Sequence, residues 1–170
     1  DLKWQANTDY ICQKGFSRLW MIRRLKGLGA DRHDLLDVYE KQVRSVLELA
    51  VAVWEPGLLN GQRKQIERVQ KAAFYLILEE DYSSYSEACK KLMRKPLAER
   101  RLDLCLKFAR KSQQHPKFQN WFELNPETVT RHTRHAHEKK ETVFREVVTR
   151  TDRYENSPLP FLTRLLNENM

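Results

Sequence analysis

The chain has 170 residues, of which 32% are charged, and it carries a net charge of +8 at pH 7 with a mean hydropathy of −0.73. A chain of this length can bury roughly 70% of its unfolded surface, and the positive balance favours polyanionic partners such as nucleic acid. Its three cysteines form no CxxC pair, which excludes a zinc knuckle, and no apolar run approaches the roughly 20 residues that cross a bilayer. We therefore expect an intracellular protein of the nucleus and cytoplasm, with reduced cysteines and no membrane partner.

Apolar residues at intervals of three to four predict two helices in the first third of the chain. The first begins between residues 7 and 9 and runs to about Lys26, where a glycine pair ends it. The second begins between residues 31 and 34 and runs to Trp54, where a Pro-Gly pair stops it. From Val46 onward the second helix is apolar nearly all round, so we expect this half at the centre of the core.

Three more helices follow. The third spans about 60–78, and Ser84 and Glu87 are spaced as a capping box for a short fourth helix that ends at Met93. Pro96 is suited to the first position of a fifth helix. The side chains expected on the inner face of the fifth helix are Leu97, Leu104, Cys105 and Phe108.

The carboxyl-terminal part changes character. We expect residues 115–122 to form one more short helical turn. Residues 123–140 are dense in Thr, His and Arg, a composition that predicts an exposed linker. Residues 141–151 form either a strand or an ordered arm. Ser157 and Pro158 begin a last helical turn, since serine caps helices and proline suits their first position.

Together these elements predict an all-α protein. We expect a compact helical bundle of about five helices, with residues 1–122 forming a helical thumb-like domain. Residues 123–170 are expected to form a basic linker and an irregular basic C-terminal arm with a short terminal helix.

The strongest chemical signal is one-sided charge on the first helix. Between Tyr10 and Ala30 five residues are basic and none is acidic. One-sided charge favours contact with phosphates, and a solvated basic face without a ligand is the alternative. The candidate nucleic-acid-binding residues on this helix are Lys14, Arg18, Arg23, Arg24 and Lys26. A second one-sided group lies on the third helix and consists of Arg63, Lys64, Arg68 and Lys71. A further cluster, residues 90–111, holds nine basic residues against two acidic ones.

The tryptophans offer a second binding chemistry, because aromatic rings stack on bases in single-strand binders. Trp54 lies on the apolar face of the second helix and is expected in the core. Trp20 is the only tryptophan interleaved with arginines, and even there packing is preferred over stacking.

Nothing in the sequence predicts catalysis or a metal site. Zinc needs three or four ligands, and neither cysteine nor a well-placed carboxylate joins the three histidines between 132 and 137, so a polar linker is preferred. The acidic groups at Asp31, Asp34 and 79–81 are better explained as caps and helix ends. Gly-rich phosphate loops, GxSxG and HExxH are absent. We expect no catalytic residue, no metal and no cofactor in this chain.

Two long segments resemble a known family. Residues 35–54, LLDVYEKQVRSVLELAVAVW, and 65–73, QIERVQKAA, look like the region that follows the catalytic palm in endonuclease-reverse transcriptases of non-LTR retrotransposons. Shorter segments that resemble the same region are 1–4 (DLKW), 10–14 (YICQK), 18–26 (RLWMIRRLK), 115–122 (HPKFQNWF), 150–154 (RTDRY) and 157–167 (SPLPFLTRLLN).

The resemblance implies a thumb and C-terminal extension that grip a template–primer made of RNA, DNA or an RNA–DNA hybrid. The first helix would lie nearest the duplex, and the upstream palm of the same polypeptide would be a partner. The metal-binding aspartates of that palm and their Mg would lie outside this chain, so the chain alone is expected neither to polymerise nor to cut. The alternative is a co-opted helical protein-interaction domain without nucleic-acid function.

Overall fold

The computed structural model describes residues 3–125 and 143–169. Within those residues the protein is all-α, which confirms the predicted fold class. Its α-helices are α1 (Gln5–Gly27), α2 (Arg32–Val38), α3 (Ser45–Leu47), α4 (Val51–Trp54), α5 (Asn60–Leu78), α6 (Tyr85–Lys91), α7 (Leu97–Gln113), α8 (Asp152–Glu155) and α9 (Pro158–Glu168). A π-helical turn spans Tyr39–Arg44, and 3₁₀ turns span Glu79–Asp81 and Gln119–Trp121.

The chain forms two compact units, Asp1–Asp103 and Leu104–Met170. Helix α7 begins in the first unit and ends in the second. The domain boundary expected after residue 122 stays a prediction. None of the described helices combines the length and the apolar character that crossing a membrane requires.

Helices α1 and α5 pack side by side and run in the same direction. Near their amino-terminal ends Gln65 Nε2 donates to Asp9 Oδ1 over 2.8 Å. Near their carboxyl-terminal ends Lys26 Nζ donates to the carbonyl oxygen of Leu76 over 2.7 Å. The residue numbers of the hydrogen-bonded partners increase together along both helices, as they do in a parallel pair.

The close approach of α1 to its neighbours depends on Gly15. A Cβ atom at this position would lie 2.9 Å from Cγ1 of Val69 on α5 and 3.0 Å from Cδ2 of Leu47 on α3. Real Cβ atoms essentially never approach another atom under 3.0 Å. The missing side chain therefore sets the distance between these helices.

The prediction of one continuous second helix up to Trp54 is wrong. The chain passes from α2 through the π-helical turn into α3, and it then breaks at Ala50, whose φ of +52° lies in the left-handed region. The break redirects the apolar run so that Val51 and Trp54 are buried. Trp54 Nε1 also donates to the carbonyl oxygen of Leu49 over 2.7 Å, which satisfies a backbone acceptor that the break leaves open. The expected core position of Trp54 is confirmed, since it is 2% exposed.

The third predicted helix and the serine cap of the fourth are confirmed. Helix α5 has the expected bounds, and the Ser84 side chain accepts from the Glu87 N–H at the start of α6. Helix α6 ends at Lys91 rather than Met93, because Met93 has a φ of +52°. In the left-handed region a residue ends a helix rather than extending it.

The inner face of α7 differs from the predicted one. Leu97 and Cys105 are buried as expected, whereas Phe108 is 39% exposed, so its predicted inward position is wrong. Ala109 is buried one position further on, and Arg101 is fully buried between the two confirmed positions. A buried arginine was not expected, and its partners lie far away in sequence.

Arg101 belongs to an ion-pair group that is shielded from solvent. Its Nε donates to Oε2 of Glu55 over 2.6 Å, and its Nη1 lies 3.7 Å from Oε2 of Glu67. Arg63 Nε donates to the other carboxylate oxygen of Glu55 over 3.0 Å. Charges can be buried only when they are paired, so this group holds the turn after α4, helix α5 and helix α7 to one another.

A line of buried and half-buried polar side chains continues from this group. Tyr39 Oη donates to Oε1 of Gln70 over 2.5 Å, and Gln70 Nε2 donates to Tyr85 Oη over 2.9 Å. Tyr85 in turn donates to Glu67. Burial raises the pKa of both phenols, and the hydrogen bond to Glu67 raises that of Tyr85 further. Both tyrosines therefore keep the protons that these hydrogen bonds need.

In the second unit, α9 holds the segment before α8. The N–H of Phe144 donates to Oδ1 of Asn167 over 2.9 Å, and Nδ2 of Asn167 donates back to the carbonyl oxygen of Phe144 over 3.0 Å. Phe144 also meets the ring of Phe122 edge-on and forms an isolated antiparallel bridge with Leu124. The alternative left open for 141–151 is thus decided for its described part, which is an ordered arm without a named strand.

The remaining carboxyl-terminal predictions have mixed outcomes. The short turn expected within 115–122 is the 3₁₀ turn, and α9 begins with proline at its first position as predicted. Helix α8 was not predicted. Most of the expected linker falls on residues 126–142, which lie outside the described residues.

We expect Gly15→Ala to lower the free energy of unfolding by about 1–3 kcal/mol, because the new methyl group would overpack the contact with Val69 and Leu47. Urea unfolding followed by circular dichroism measures this. Gly61→Ala on α5 is the matched control, since a Cβ there meets nothing within 4 Å. Equal stability of the two variants would contradict the close packing of α1.

We expect Arg101→Met to lower the free energy of unfolding by about 3–5 kcal/mol, because it leaves a buried carboxylate without its main partner. The neighbouring variant Arg100→Met should cost about 1 kcal/mol or less, since Arg100 and its partner Glu48 are partly solvated. A similar decrease in the free energy of unfolding of the two variants, measured by urea unfolding, would show that the buried ion pair of Arg101 contributes no more to stability than the partly solvated pair of Arg100.

Candidate nucleic-acid interface

The basic residues of α5 divide into three that face solvent and one that does not. Lys64, Arg68 and Lys71 are spaced by four and three residues, share one helix face and are all exposed. None of them forms an ion pair with another described residue. Tyr75 extends the same face by one more turn and is 58% exposed.

Arg63 has a different role from its basic neighbours. Its Nε donates to the Glu55 carboxylate and its Nη2 donates to the Glu55 carbonyl oxygen, both over 3.0 Å. The side chain is thus committed to the buried ion-pair group. It is not part of the solvent-facing basic surface of α5.

The five basic residues of α1 do not form a single stripe. Arg18 Nη1 donates to the carbonyl oxygen of Gln42 over 2.5 Å, and Lys26 forms an ion pair of 2.9 Å with Glu79. These two cations tie α1 to neighbouring elements. The cations of α1 that remain exposed are Lys14, Arg23 and Arg24.

Helical periodicity places exposed residues of α1 and α5 on one common surface. The two helices are parallel neighbours, and both bury their isoleucines on the core side. Their opposite sides therefore point to solvent together, and at 100° per residue both Trp20 of α1 and Arg68 of α5 lie on the side of their helix away from those isoleucines. We call this surface the α1/α5 face; it comprises Phe16, Trp20, Arg23, Arg24, Lys64, Arg68, Lys71 and Tyr75.

The sequence-based predictions did not place Phe16 or Tyr75 on an exposed face, and they considered Trp20 for stacking but preferred packing. Trp20 is 60% exposed and Phe16 is 43% exposed, so the preferred core packing of Trp20 is wrong. Tyr75 meets the ring of Tyr82 edge-on, with centroids 5.5 Å apart. The spacing of Tyr75, four residues after Lys71 and eleven after Lys64, was the signal that predicts its position on the basic face.

Acidic groups border the α1/α5 face but are occupied. Asp9, near the start of α1, accepts hydrogen bonds from the side-chain amides of Gln5 and Gln65. Beyond the end of α5, Glu79 pairs with Lys26. The lysine compensates the charge of Glu79, whereas the neutral amides leave the charge of Asp9 at the border of the face.

The basic cluster at 90–111 is largely paired with carboxylates. Arg94 donates to Glu40, which also binds Arg44. Burial favours the neutral form of Glu40, but the hydrogen bond from Arg94 and the charges of both arginines outweigh it, so its pKa is lowered. Further pairs in this cluster are Lys90–Glu87, Lys95–Asp103, Arg100–Glu48 and Arg101–Glu55. Much of this charge stabilises the fold.

Asp31, His33 and Asp34 lie close enough to share a cation, with donor atoms within 4.8 Å of one another. All three are exposed, and Asp31 Oδ1 accepts from the Asp34 N–H over 2.8 Å. That hydrogen bond is the helix cap expected from the sequence, so capping explains the cluster. The histidines at 132–137 lie outside the described residues.

Comparison with known proteins adds no family assignment. No protein-family model, no curated protein and no solved structure matches the chain.

We expect the adjacent residues Arg63 and Lys64 of α5 to differ in their contribution to stability, because only Arg63 is bound to buried Glu55. Arg63→Gln should lower the free energy of unfolding by about 1–3 kcal/mol, because it removes charge-assisted hydrogen bonds to buried Glu55. Lys64→Gln should change stability by less than about 0.5 kcal/mol. Thermal and urea unfolding of both variants test the division, which an equal loss of stability would contradict.

Proposed function

We propose that this chain is a non-catalytic nucleic-acid-binding segment that grips a template–primer through the α1/α5 face. It would belong to an RNA-directed DNA polymerase of the non-LTR retrotransposon type. Its partners would be RNA, DNA or an RNA–DNA hybrid and the upstream palm of the same polypeptide, inside the cell where the template is found. Mg would act in that palm rather than in this chain.

The observation that carries the proposal is the concentration of free cations on one face. Arg24, Lys64 and Arg68 have no carboxylate partner among the described residues. By contrast, many exposed cations elsewhere in the first unit form ion pairs. A surface of unpaired cations lowers the free energy of a bound polyanion and releases its counterions on binding.

The resemblance to retrotransposon polymerases supports the same choice. The resembling segments 35–54 and 65–73 include Leu47 and Val69, the two side chains that contact Gly15. These segments therefore build the packing that sets α1 beside α5 and creates the common face. A resemblance that includes this packing is consistent with a family that uses the face.

A second candidate is a helical protein-interaction domain, favoured by apolar side chains exposed near the break between α3 and α4. Leu49 is 72% exposed and Val53 is 51% exposed. Exposed apolar groups mark protein interfaces when they form a contiguous patch. Association through them would be insensitive to salt, unlike association through the α1/α5 face.

We expect the triple variant Lys64→Gln, Arg68→Gln, Lys71→Gln to bind an RNA–DNA hybrid at least about tenfold more weakly at low salt. The slope of log K against log salt should become shallower by about 2–3, because three phosphate contacts are lost. Fluorescence anisotropy with a labelled hybrid across a salt series measures both quantities.

The matched control for this triple variant is Lys41→Gln, Lys90→Gln, Lys95→Gln. These lysines are exposed, each pairs with a carboxylate, and none lies on the α1/α5 face. Both variants lose the same formal charge. If they lose affinity equally, binding reflects net charge alone and the proposed face is refuted.

A further inference from the structure

We infer that the α1/α5 face binds unpaired nucleotides, with bases stacked on Trp20 and Tyr75 and phosphates held by the surrounding cations. This inference rests on the proposed function and deepens it. It names single-stranded nucleic acid, or the unpaired stretch of a template, as the preferred ligand of the face.

The first support is the exposure of these rings. Trp20 is 60% exposed, Tyr75 is 58% exposed and Phe16 is 43% exposed. Trp20 and Phe16 stack on no aromatic ring of another described residue. Burying a large aromatic side chain lowers the free energy, and three such side chains on one face remain exposed to solvent. A ligand that covers these rings would gain that burial energy on binding.

The second support is the spacing of the rings. Phe16 and Trp20 are one helical turn apart, which is about 6 Å along α1. Tyr75 lies on the neighbouring helix α5, which runs parallel to α1. The edge-on contact with Tyr82 limits the rotation of the Tyr75 ring. The face therefore offers rings on two neighbouring helices rather than a single isolated ring.

The third support is the charge near the rings. Arg23 and Arg24 follow Trp20 on α1, and Lys64, Arg68 and Lys71 are exposed on the neighbouring helix α5. Interleaved cations and exposed aromatics are the combination that binds single strands without sequence preference. A duplex hides the faces of its bases inside its own stack, so the rings would gain little from it.

The test compares three oligonucleotides of about 12 nucleotides, a length within the range that single-strand-binding modules cover. They are a thymidine strand, an abasic strand with the same phosphates, and a fully paired duplex. The wild-type chain should bind the thymidine strand at least about tenfold more tightly than the abasic strand. Trp20→Ala and Tyr75→Ala should each weaken thymidine-strand binding by about 5- to 150-fold while leaving abasic-strand binding unchanged.

Control variants separate stacking from a general loss of aromatic surface. Trp121→Ala and Tyr154→Ala remove rings that are 42% and 45% exposed outside the face, and both should bind like the wild type. Circular dichroism should show the same helical content for all four variants, because every changed side chain is exposed.

Two results would overturn the inference, and they differ in what they leave standing. In the first, the wild type binds the thymidine and abasic strands equally, and this binding is lost when Lys64, Arg68 and Lys71 are replaced. That result would refute stacking but would still support phosphate binding by the face. Failure of the wild type to bind any of the three oligonucleotides at low salt would refute both the inference and the proposed function.

Discussion

The first unit depends on the buried contact between Arg101 and Glu55. These side chains lie 46 residues apart in sequence, and both are almost fully removed from solvent. A charge in that environment is tolerated only beside its counterion, so α7 and the turn after α4 have one relative position at this point. Arg63 and Glu67 extend the constraint to α5, which is thereby held on its core side by both apolar packing and charge.

Because the core side of α5 is fixed in this way, the side chains on its opposite side are exposed to solvent. The arginine at position 63 is bound to Glu55, whereas the cations at 64, 68 and 71 are exposed, although Lys71 Nζ also lies 5.0 Å from the centre of the Tyr85 ring. The same division runs through α1, where Arg18 and Lys26 bind neighbouring elements and Arg24 binds none among residues 3–125 and 143–169. A basic chain thus contains two populations of cations. One stabilises the fold through carboxylates and carbonyl groups, and the other is available to a ligand.

The proposed interface follows from the packing of two parallel helices. Because Gly15 lets α1 approach α5 closely, the exposed rings of α1 and the exposed cations of α5 lie on two helices packed side by side. Each helix alone would present only a narrow row of side chains. Combining the rows gives a surface with both charge and stacking groups, which suits a nucleic-acid strand better than an acidic protein. The exposed leucine at position 49 lies at the break between α3 and α4 and favours a different partner, so the two candidate functions use different residues.

The sequence by itself determined the all-α character, the bounds of α5, the serine cap of α6 and the proline start of α9. Each is a local property: apolar spacing, capping side chains and proline geometry act within about one or two helical turns. It also identified the candidate cations, though not which of them are free.

Only the tertiary structure decided the break at Ala50, the burial of Arg101 and the exposure of Trp20. These depend on partners distant in sequence, because a buried charge needs a counterion and a helix can turn outward only the sides that its neighbours leave uncovered. The spacing of apolar residues along the chain does not reveal partners that are distant in sequence. The sequence therefore indicated which residue types the candidate site contains, and the packing determined which of those residues are exposed.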